Sequence, residues 1–597
     1  MIRKMSLLLA TLSLVVALSL HTAASSSSSS LHSYNVGDPV PLFVNKVGPF
    51  HNPSETYQYY DLPFCRPPGL VAWKKETLGE VLNGDRLAAS LYSISFRVDR
   101  EGETLCEVPL GKDQVGKFRD AIADDFYFQM QLDGLPFWGF VGRVDDLSSI
   151  QSDRGGYVKY YLFTHVAFDV LYNGDRVIEV RAFSDPNYAV DVTDDVDVDV
   201  KFTYSVTWNM TSEKFENRME RYSRAALVPV RRRVRWFSFL NGVVVVLLCL
   251  GLLGMLFMRR LKNDLMRGGS GNEEGEDKEV GWKYIHGDVF RCPHNLPLFC
   301  AVLGTGTQLL TMVLLLFVLA FVGVLYPYNH GLLCTSLILA YSVTSFVGGY
   351  TSSSFYCQFA ETGWETAVLL SGILYLGPLF VILSTLNTVA VFHGATAAIP
   401  FSTFMVILVI YIFLTLPLLV LGGVLGYCFR SVFQAPSAVK RSAREIPTLG
   451  WYRGTPGQMF LGGLVPFSVV ILELHHLFAS LWGFKIHTLP SILYVAFIIV
   501  ILLTAMLSVG MTYIQLSVED HQWWWRSMLH GGSPAIFMFI YCIYFFTRSD
   551  MSGSMQLSFY FGYNACLCYA VFLMLSAISF WVSFFFVRKI YSAVKSE

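Results

Sequence analysis

Apolar residues are distributed unevenly along this chain. Before about residue 235 they are scattered or alternate with polar ones, and after it they gather into long runs. The runs set the class. A helix rises 1.5 Å per residue, so crossing a hydrocarbon core takes about 20 apolar residues. Nine stretches read as spans: Trp236–Met258, Leu298–Leu325, Leu332–Ser352, Trp364–Leu386, Phe401–Phe429, Phe460–Trp482, Ser491–Leu516, Pro534–Phe546 and Leu557–Val587. The eighth is short because Arg548 and Asp550 close it, and the ninth is long enough to tilt or to extend beyond a bilayer.

The first part of the chain has a different period. Val190, Val192, Val196, Val198, Val200 and Phe202 alternate with polar residues, which predicts a strand over Ala189–Thr207. Leu91–Val98 and Tyr157–Phe163 are strand-like, and Lys112–Asp125 reads as a short helix. Asn83-Gly84-Asp85 and Asn173-Gly174-Asp175 sit between apolar stretches as hairpin turns do, since Asn and Gly tolerate positive φ. The expected architecture is a polytopic α-helical membrane protein with an N-terminal β-rich, sandwich-like domain.

Composition agrees and removes other classes. Of 597 residues 53% are hydrophobic and 15% charged, which excludes an ordinary soluble protein. A net charge of −1 gives no general case for nucleic-acid binding. Arg3 and Lys4, the apolar Ser6–Leu20 and the small Thr22-Ala23-Ala24 read as a cleaved secretory signal over 1–24. Residues 25–235 then form a lumenal domain. The first span (236–258), a cytosolic loop (259–297), an eight-helix region (298–587) and a cytosolic tail (588–597) follow. In an oxidising lumen a Cys65–Cys106 disulfide is expected, two separate buried thiols being the alternative. Asn209-Met210-Thr211 is a glycosylation sequon.

Charge tests the orientation. Loops assigned to the cytosol hold Arg259, Arg260, Lys262, Arg267, Arg430, Lys440, Arg441, Arg526, Arg588 and Lys589, while the short lumenal loops hold little more than Lys485 and Arg548. That is the positive-inside bias. Arg231, Arg232, Arg233 and Arg235 oppose it, and a large domain translocated behind a signal can override them.

Few residues carry candidate chemistry. Glu519 and Asp520, then Trp523, Trp524, Trp525 and Arg526, join two spans, and the physical reading is an interfacial aromatic belt at the lipid bilayer. Glu473 lies inside the sixth span with His475 and His476 behind it. A carboxylate at that depth costs about 2.5–3.5 kcal/mol on insertion scales and should face the bundle interior. Glu473 and His476 can share a helix face, either to handle protons or cations or to brace helices. Adjacent histidines diverge by about 100° on a helix, so no metal site is expected. Gly422 and Gly426 permit close helix packing. The run Asp191, Asp194, Asp195, Asp197 and Asp199 reads as one solvated strand face rather than a calcium site. No local nucleophile, Walker or zinc motif sits in a credible context, so neither enzyme nor cofactor is expected.

The stretch Glu519-Asp520-His521-Gln522-Trp523-Trp524-Trp525-Arg526-Ser527 closely resembles the Glu-Asp-x-x-Trp-Trp-Trp-x-Ser block of the transmembrane-nine family, also called nonaspanins or endomembrane protein 70. Ser54–Cys65 resembles that family's Tyr-x-Tyr-Tyr-x-Leu-Pro-Phe-Cys signature, and Trp282–Arg291 its Trp-Lys-x-x-x-Gly-Asp-Val-Phe-Arg block. Lys589-Ile590-Tyr591 with Lys595-Ser596-Glu597 matches its ending. His475-His476 departs from it, since aromatic residues are more usual there. The resemblance implies a Golgi or endosomal protein that sorts or localises client membrane proteins. It also implies that Lys595 and Glu597 form a signal for the COPI coat. A transporter or channel using Glu473 and His476 is the rival expectation.

Overall fold

The computed structural model describes residues 32–50, 52, 55–146, 158–215, 218, 236–269, 282, 285–322, 325, 330–430, 433, 434, 436, 446, 450, 451, 454–482, 490–549, 551 and 553–593. The expected signal peptide, Arg231, Arg232, Arg233, Arg235, Lys595 and Glu597 lie outside them.

Two layers, the first antiparallel and the second mixed, face each other in the N-terminal domain. In the first, Leu42–Pro49 (β1) is central, with partners on both sides. Arg100–Leu110 (β2) belongs to the second layer. Phe126–Leu132 (β3) lies on one side of β1 and carries Leu135–Phe140 (β4) beyond it. On the other side of β1 are the short strands Tyr57–Gln58 and Ala88–Ala89. Gly142–Asp146 (β5) and Val158–Phe163 (β6) form a small third sheet with Ala189–Asp191. The second layer contains His165–Asn173 (β7), Arg176–Ser184 (β8) and Val198–Met210 (β9), in the order β8-β7-β9-β2. β7 and β9 run parallel, with His165 opposite Thr203. Inward residues of both layers share one core, and Phe137 meets Phe168 across it with ring centroids 5.7 Å apart.

The helix expected over Lys112–Asp125 forms as Lys112–Ala123, labelled α2 because Leu78–Leu82 (α1) precedes it. Val115, Phe118, Ala121 and Ile122 recur at helical spacing and are buried on its core face. Thr77 and Glu80 cap α1 reciprocally, Glu80 accepting from Thr77 N at 2.7 Å. Asn173-Gly174-Asp175 does turn the hairpin between β7 and β8, with Gly174 at φ +62°. Asn83-Gly84-Asp85 instead ends α1, with Gly84 at φ +75°.

The strand expected over Ala189–Thr207 is broken between 191 and 198. Aspartates there bond backbone amides and compete with a ladder. Asp191 Oδ1 accepts from Thr193 N at 3.0 Å, and Asp197 Oδ1 accepts from the first residue of α2, Lys112 N, at 3.1 Å. Leu91–Val98 contributes only the two-residue strand Ile94–Ser95.

Beyond the domain the chain is helical. Trp236–Gly269 (α3) runs past the expected end at Met258, since Arg259, Lys262 and their neighbours remain good helix formers outside the apolar stretch. Leu296–Phe321 (α4), His330–Tyr356 (α5) and Trp364–Phe392 (α6) follow. Phe401–Ile410 (α7) and Leu416–Cys428 (α8) are one rod joined by a π-turn at Tyr411–Thr415. Thr455–Trp482 (α9) and Pro490–Ser517 (α10) come next. Trp523–Gly532 (α11) leads directly into Pro534–Thr547 (α12), and Ser554–Ala593 (α13) ends the described chain. Among the described residues eight helical rods are long and apolar enough to cross a membrane, and α3 adds a ninth helix with a shorter apolar core at Gly242–Leu256.

Small residues set the closest approaches. A methyl group on Gly422 would overlap the backbone oxygen of Phe346, one on Gly349 that of Leu419, and one on Gly426 would lie 2.8 Å from Tyr350 O. The Gly422/Gly426 spacing is therefore used inside the chain, between α8 and α5. Hydroxyl pairs tie α10 to α13: Ser508 to Ser579 at 2.6 Å and Thr512 to Ser583 at 2.9 Å.

Candidate functional site

The three tryptophans open a span instead of bordering one. Ser533 connects α11 to α12 without a break, so Trp523–Thr547 forms one rod and the expected short eighth span is longer at its start. The interfacial-belt reading is corrected here: Trp523 and Trp524 are 0% and 4% exposed. An indole has one donor, and in a buried site it must find an acceptor. Both find the same one, the backbone oxygen of Val289, at 2.9 and 3.2 Å. Trp525 donates to His294 O at 2.8 Å. The rings stack on α13, Trp523 and Trp524 lying 5.9 and 5.6 Å from Phe580 between centroids.

Charges complete the turn before α11. Asp520 is fully buried, pairs with Arg526, and accepts from Gln522 N at 3.0 Å. Glu519 takes a left-handed φ of +67° to make the turn. Facing these, Asp288 accepts from Arg291 Nη2 at 2.9 Å, closing the tight Ile285–Phe290 turn that presents the Val289 carbonyl. Tyr591, near the end of α13, donates to Trp282 O at 2.6 Å. Phe433, beyond α8, packs on Phe290 and Phe584. One aromatic knot thus gathers the segments before α4, after α8, at the start of α11 and at the end of α13.

A second junction holds the N-terminal domain to the bundle. Thr56 and Thr396 share a hydrogen bond of 2.6 Å between hydroxyls, and Arg86 Nη2 donates to Ala398 O at 2.8 Å. Asn387 accepts from Ile399 N at 2.7 Å and shapes this same turn. Gly79 of α1 lies against Gly331 of α5 so closely that a methyl group would overlap the Gly331 oxygen. Burial pushes the nearby Asp85 carboxyl up, but Lys46 at 3.1 Å and hydrogen bonds from Asn45 and Asn83 outweigh it and hold it below the usual carboxylate range. The segments touching the domain open α5 or follow α6. Those in the knot lie at the other ends of rods. This alternation is what rods that each cross a layer once require.

The remaining candidates are spread out. Glu473 is half-buried in α9. His475 makes the contact with a neighbouring helix, its Nδ1 lying 2.9 Å from the Tyr541 hydroxyl of α12, with Phe545 at 5.8 Å. The His476 ring is 5.6 Å from that of His475. Cys65 and Cys106 are joined in a disulfide with Cα atoms 6.0 Å apart. Asn209 is exposed on β9, its amide donating to Asp169 at 2.8 Å.

Sequence reasoning saw the Trp282–Arg291 and tryptophan blocks separately and missed that one binds the other. A usable signal was present, because both are aromatic, turn-rich segments on the same expected side. Asp133 was missed entirely. It is buried at the β3–β4 turn and accepts from His32 at 2.8 Å, Tyr34 at 2.7 Å and Arg218 at 3.1 Å, so it fastens both ends of the domain.

Comparison with known proteins finds relatives over nearly the whole chain. A family model described as Endomembrane protein 70 matches residues 56–554. The chain is 56% identical over 591 residues to Transmembrane 9 superfamily member 5 of Arabidopsis thaliana, covering 99% of each chain. It is 51% identical to member 4 from the same plant, over 96% of each chain. It is 39% identical to Transmembrane 9 superfamily member 1 of Mus musculus, over 94% of each. No solved structure matches.

Proposed function

Because the chain belongs to the endomembrane protein 70 family, the transmembrane 9 superfamily, we propose that it is a multi-pass Golgi or endosomal protein that sorts or localises other membrane proteins. In this reading the N-terminal domain is lumenal and the aromatic knot cytosolic. The observation that carries the proposal is the anchoring of the C-terminal helix. Tyr591 and Phe584 are fixed in the knot, and Lys595 and Glu597 follow within six residues of Tyr591 in the sequence. A charged Lys-x-Glu segment following a rigid platform in sequence suits recognition by complementary charge, here by the COPI coat. Client helices would use the broad apolar faces of α3, where Leu248 and Met255 are 66% and 69% exposed.

The test is the location of tagged full-length protein carrying Lys595→Ala and Glu597→Ala, with the tag kept off the C-terminus. Escape to later membranes is expected. Retention in the Golgi would overturn the coat signal, and unchanged location of every membrane protein after loss of this one would overturn the sorting role. A second reading draws on His475 bonded to Tyr541 with Glu473 nearby: an ion or small-solute path through α9. It requires flux in proteoliposomes that Glu473→Gln abolishes, and flux surviving that change would remove the residue from any path.

A further inference from the structure

The loop from Arg66 to Lys75 takes no part in either junction. It reads Arg66-Pro67-Pro68-Gly69-Leu70-Val71-Ala72-Trp73-Lys74-Lys75. Two prolines and Gly69 at φ +89° make a turn at its tip, and Leu70 just after it is 101% exposed. Trp73 is 53% exposed. Single exposed apolar residues are ordinary on protein surfaces. A leucine and a tryptophan on one proline-stiffened loop, flanked by exposed Arg66, Lys74 and Lys75, are a patterned group.

The position of the loop says what covers it. Trp73 bridges to Ala88, Lys74 N donates to Leu87 O at 2.9 Å, and Ala89 N donates to Ala72 O at 2.8 Å. Residues 72–74 therefore lie outside Ala88–Ala89, which itself lies outside β1. This is the edge of the sheet from which Gly84 reaches Ala397 and Arg86 bonds Ala398 O. The turn they touch is flanked by Phe392 and Phe401, 86% and 77% exposed on the outer surface of the bundle. Apolar residues at the end of a spanning helix mark the level of the lipid surface.

We propose that Leu70 and Trp73 insert into the interfacial layer of the phospholipid leaflet around the bundle, so that the domain rests on lipid as well as on α5 and the α6–α7 turn. Tryptophan suits this layer because its ring is apolar and its N–H can stay wet. Lys75 reaches headgroup phosphates while its stem lies along apolar surface. Arg66 is partly engaged, donating to Tyr60 O at 3.0 Å, and Lys74 lies 3.3 Å from Gln131, so Lys75 is the main cation. The contact continues the junction already made by Gly79 and Arg86.

The test places the photoreactive residue p-benzoylphenylalanine at position 70, 73 or 183 of the full-length protein in phospholipid nanodiscs. Phe183 is 55% exposed, and its neighbour Ser184 bonds Phe140 O of β4, the strand at the far edge of the first layer. Cross-linking to lipid several-fold above position 183 is expected at both 70 and 73, and Leu70→Asp should reduce it at 73. Equal lipid labelling at all three positions overturns the proposal, as does labelling of a co-purified protein in place of lipid. Lys75→Gln should lower the labelling by up to about fivefold, the worth of one cation near a charged lipid surface. No change on that substitution overturns the headgroup contact.

Discussion

Two indoles sharing one carbonyl make a measurable coupling. Trp523→Phe keeps a ring against Phe580 but removes one of the two donors to Val289 O. Losing a hydrogen bond of this kind costs about 0.5–1.5 kcal/mol net. The smaller ring adds about 1–2 kcal/mol of lost packing at a site with no exposure. Trp524→Phe should behave alike, through its longer 3.2 Å bond. Each single variant leaves the carbonyl one indole. The double variant leaves it none, and an orphaned buried acceptor costs about 1–3 kcal/mol. The double variant should therefore be destabilised by at least about 1 kcal/mol more than the sum of the two singles. Reversible unfolding of the full chain in mixed micelles measures this. Trp525→Phe is the control: its donor goes to His294 O, so it should add to Trp523→Phe within about 0.5 kcal/mol. Additivity of Trp523→Phe with Trp524→Phe to the same tolerance would refute the shared-acceptor argument.

Three further outcomes are expected. Gly422→Ala overpacks the α8–α5 contact and should destabilise by about 1–3 kcal/mol, whereas Gly251→Ala in α3, whose added methyl meets nothing, should not; equal Tm values for the two would sink the packing argument. Asp133→Ala strands Arg218 in a buried site and should cost about 3–5 kcal/mol in thermal unfolding, so a wild-type Tm would show that the triple contact is dispensable. His165 is buried between Thr203 and Ser205, and desolvation holds its imidazole below the ordinary range. A depressed folded-state pKa means its stabilisation is present above about pH 6.5 and is lost as pH falls below that, so Tm should drop from pH 7 to pH 5 and His165→Gln should flatten the drop.

The class and order of this fold were legible because burial in lipid leaves long, uninterrupted marks. What stayed hidden was contact between distant segments. Nothing local at Trp523 says that its donor will meet Val289, and an exposed belt and a buried knot demand the same residue types. Alternation failed between Asp191 and Val198 because Asp191 and Asp197 accept from backbone amides themselves, which period counting ignores. Asn83-Gly84-Asp85 was read correctly as a turn and wrongly as a hairpin, since a left-handed glycine serves a helix end equally well. The Glu473 group was visible from composition, yet the bond that the structure gives it belongs to His475 and a tyrosine 66 residues away.

The knot also imposes an order on biosynthesis. Its bonds join residues 234, 235 and 309 positions apart. At about 5–20 residues per second, the Ile285–Phe290 turn waits from roughly ten to fifty seconds for its tryptophan partners to be made. During that time its aromatic surface and the Val289 carbonyl are uncovered, and a membrane chaperone has something to hold. The contact from Tyr591 can form only after the 309 residues that separate it from Trp282 have been made. A prematurely terminated chain therefore keeps an open seam at this end, which gives quality control a way to tell finished molecules from unfinished ones.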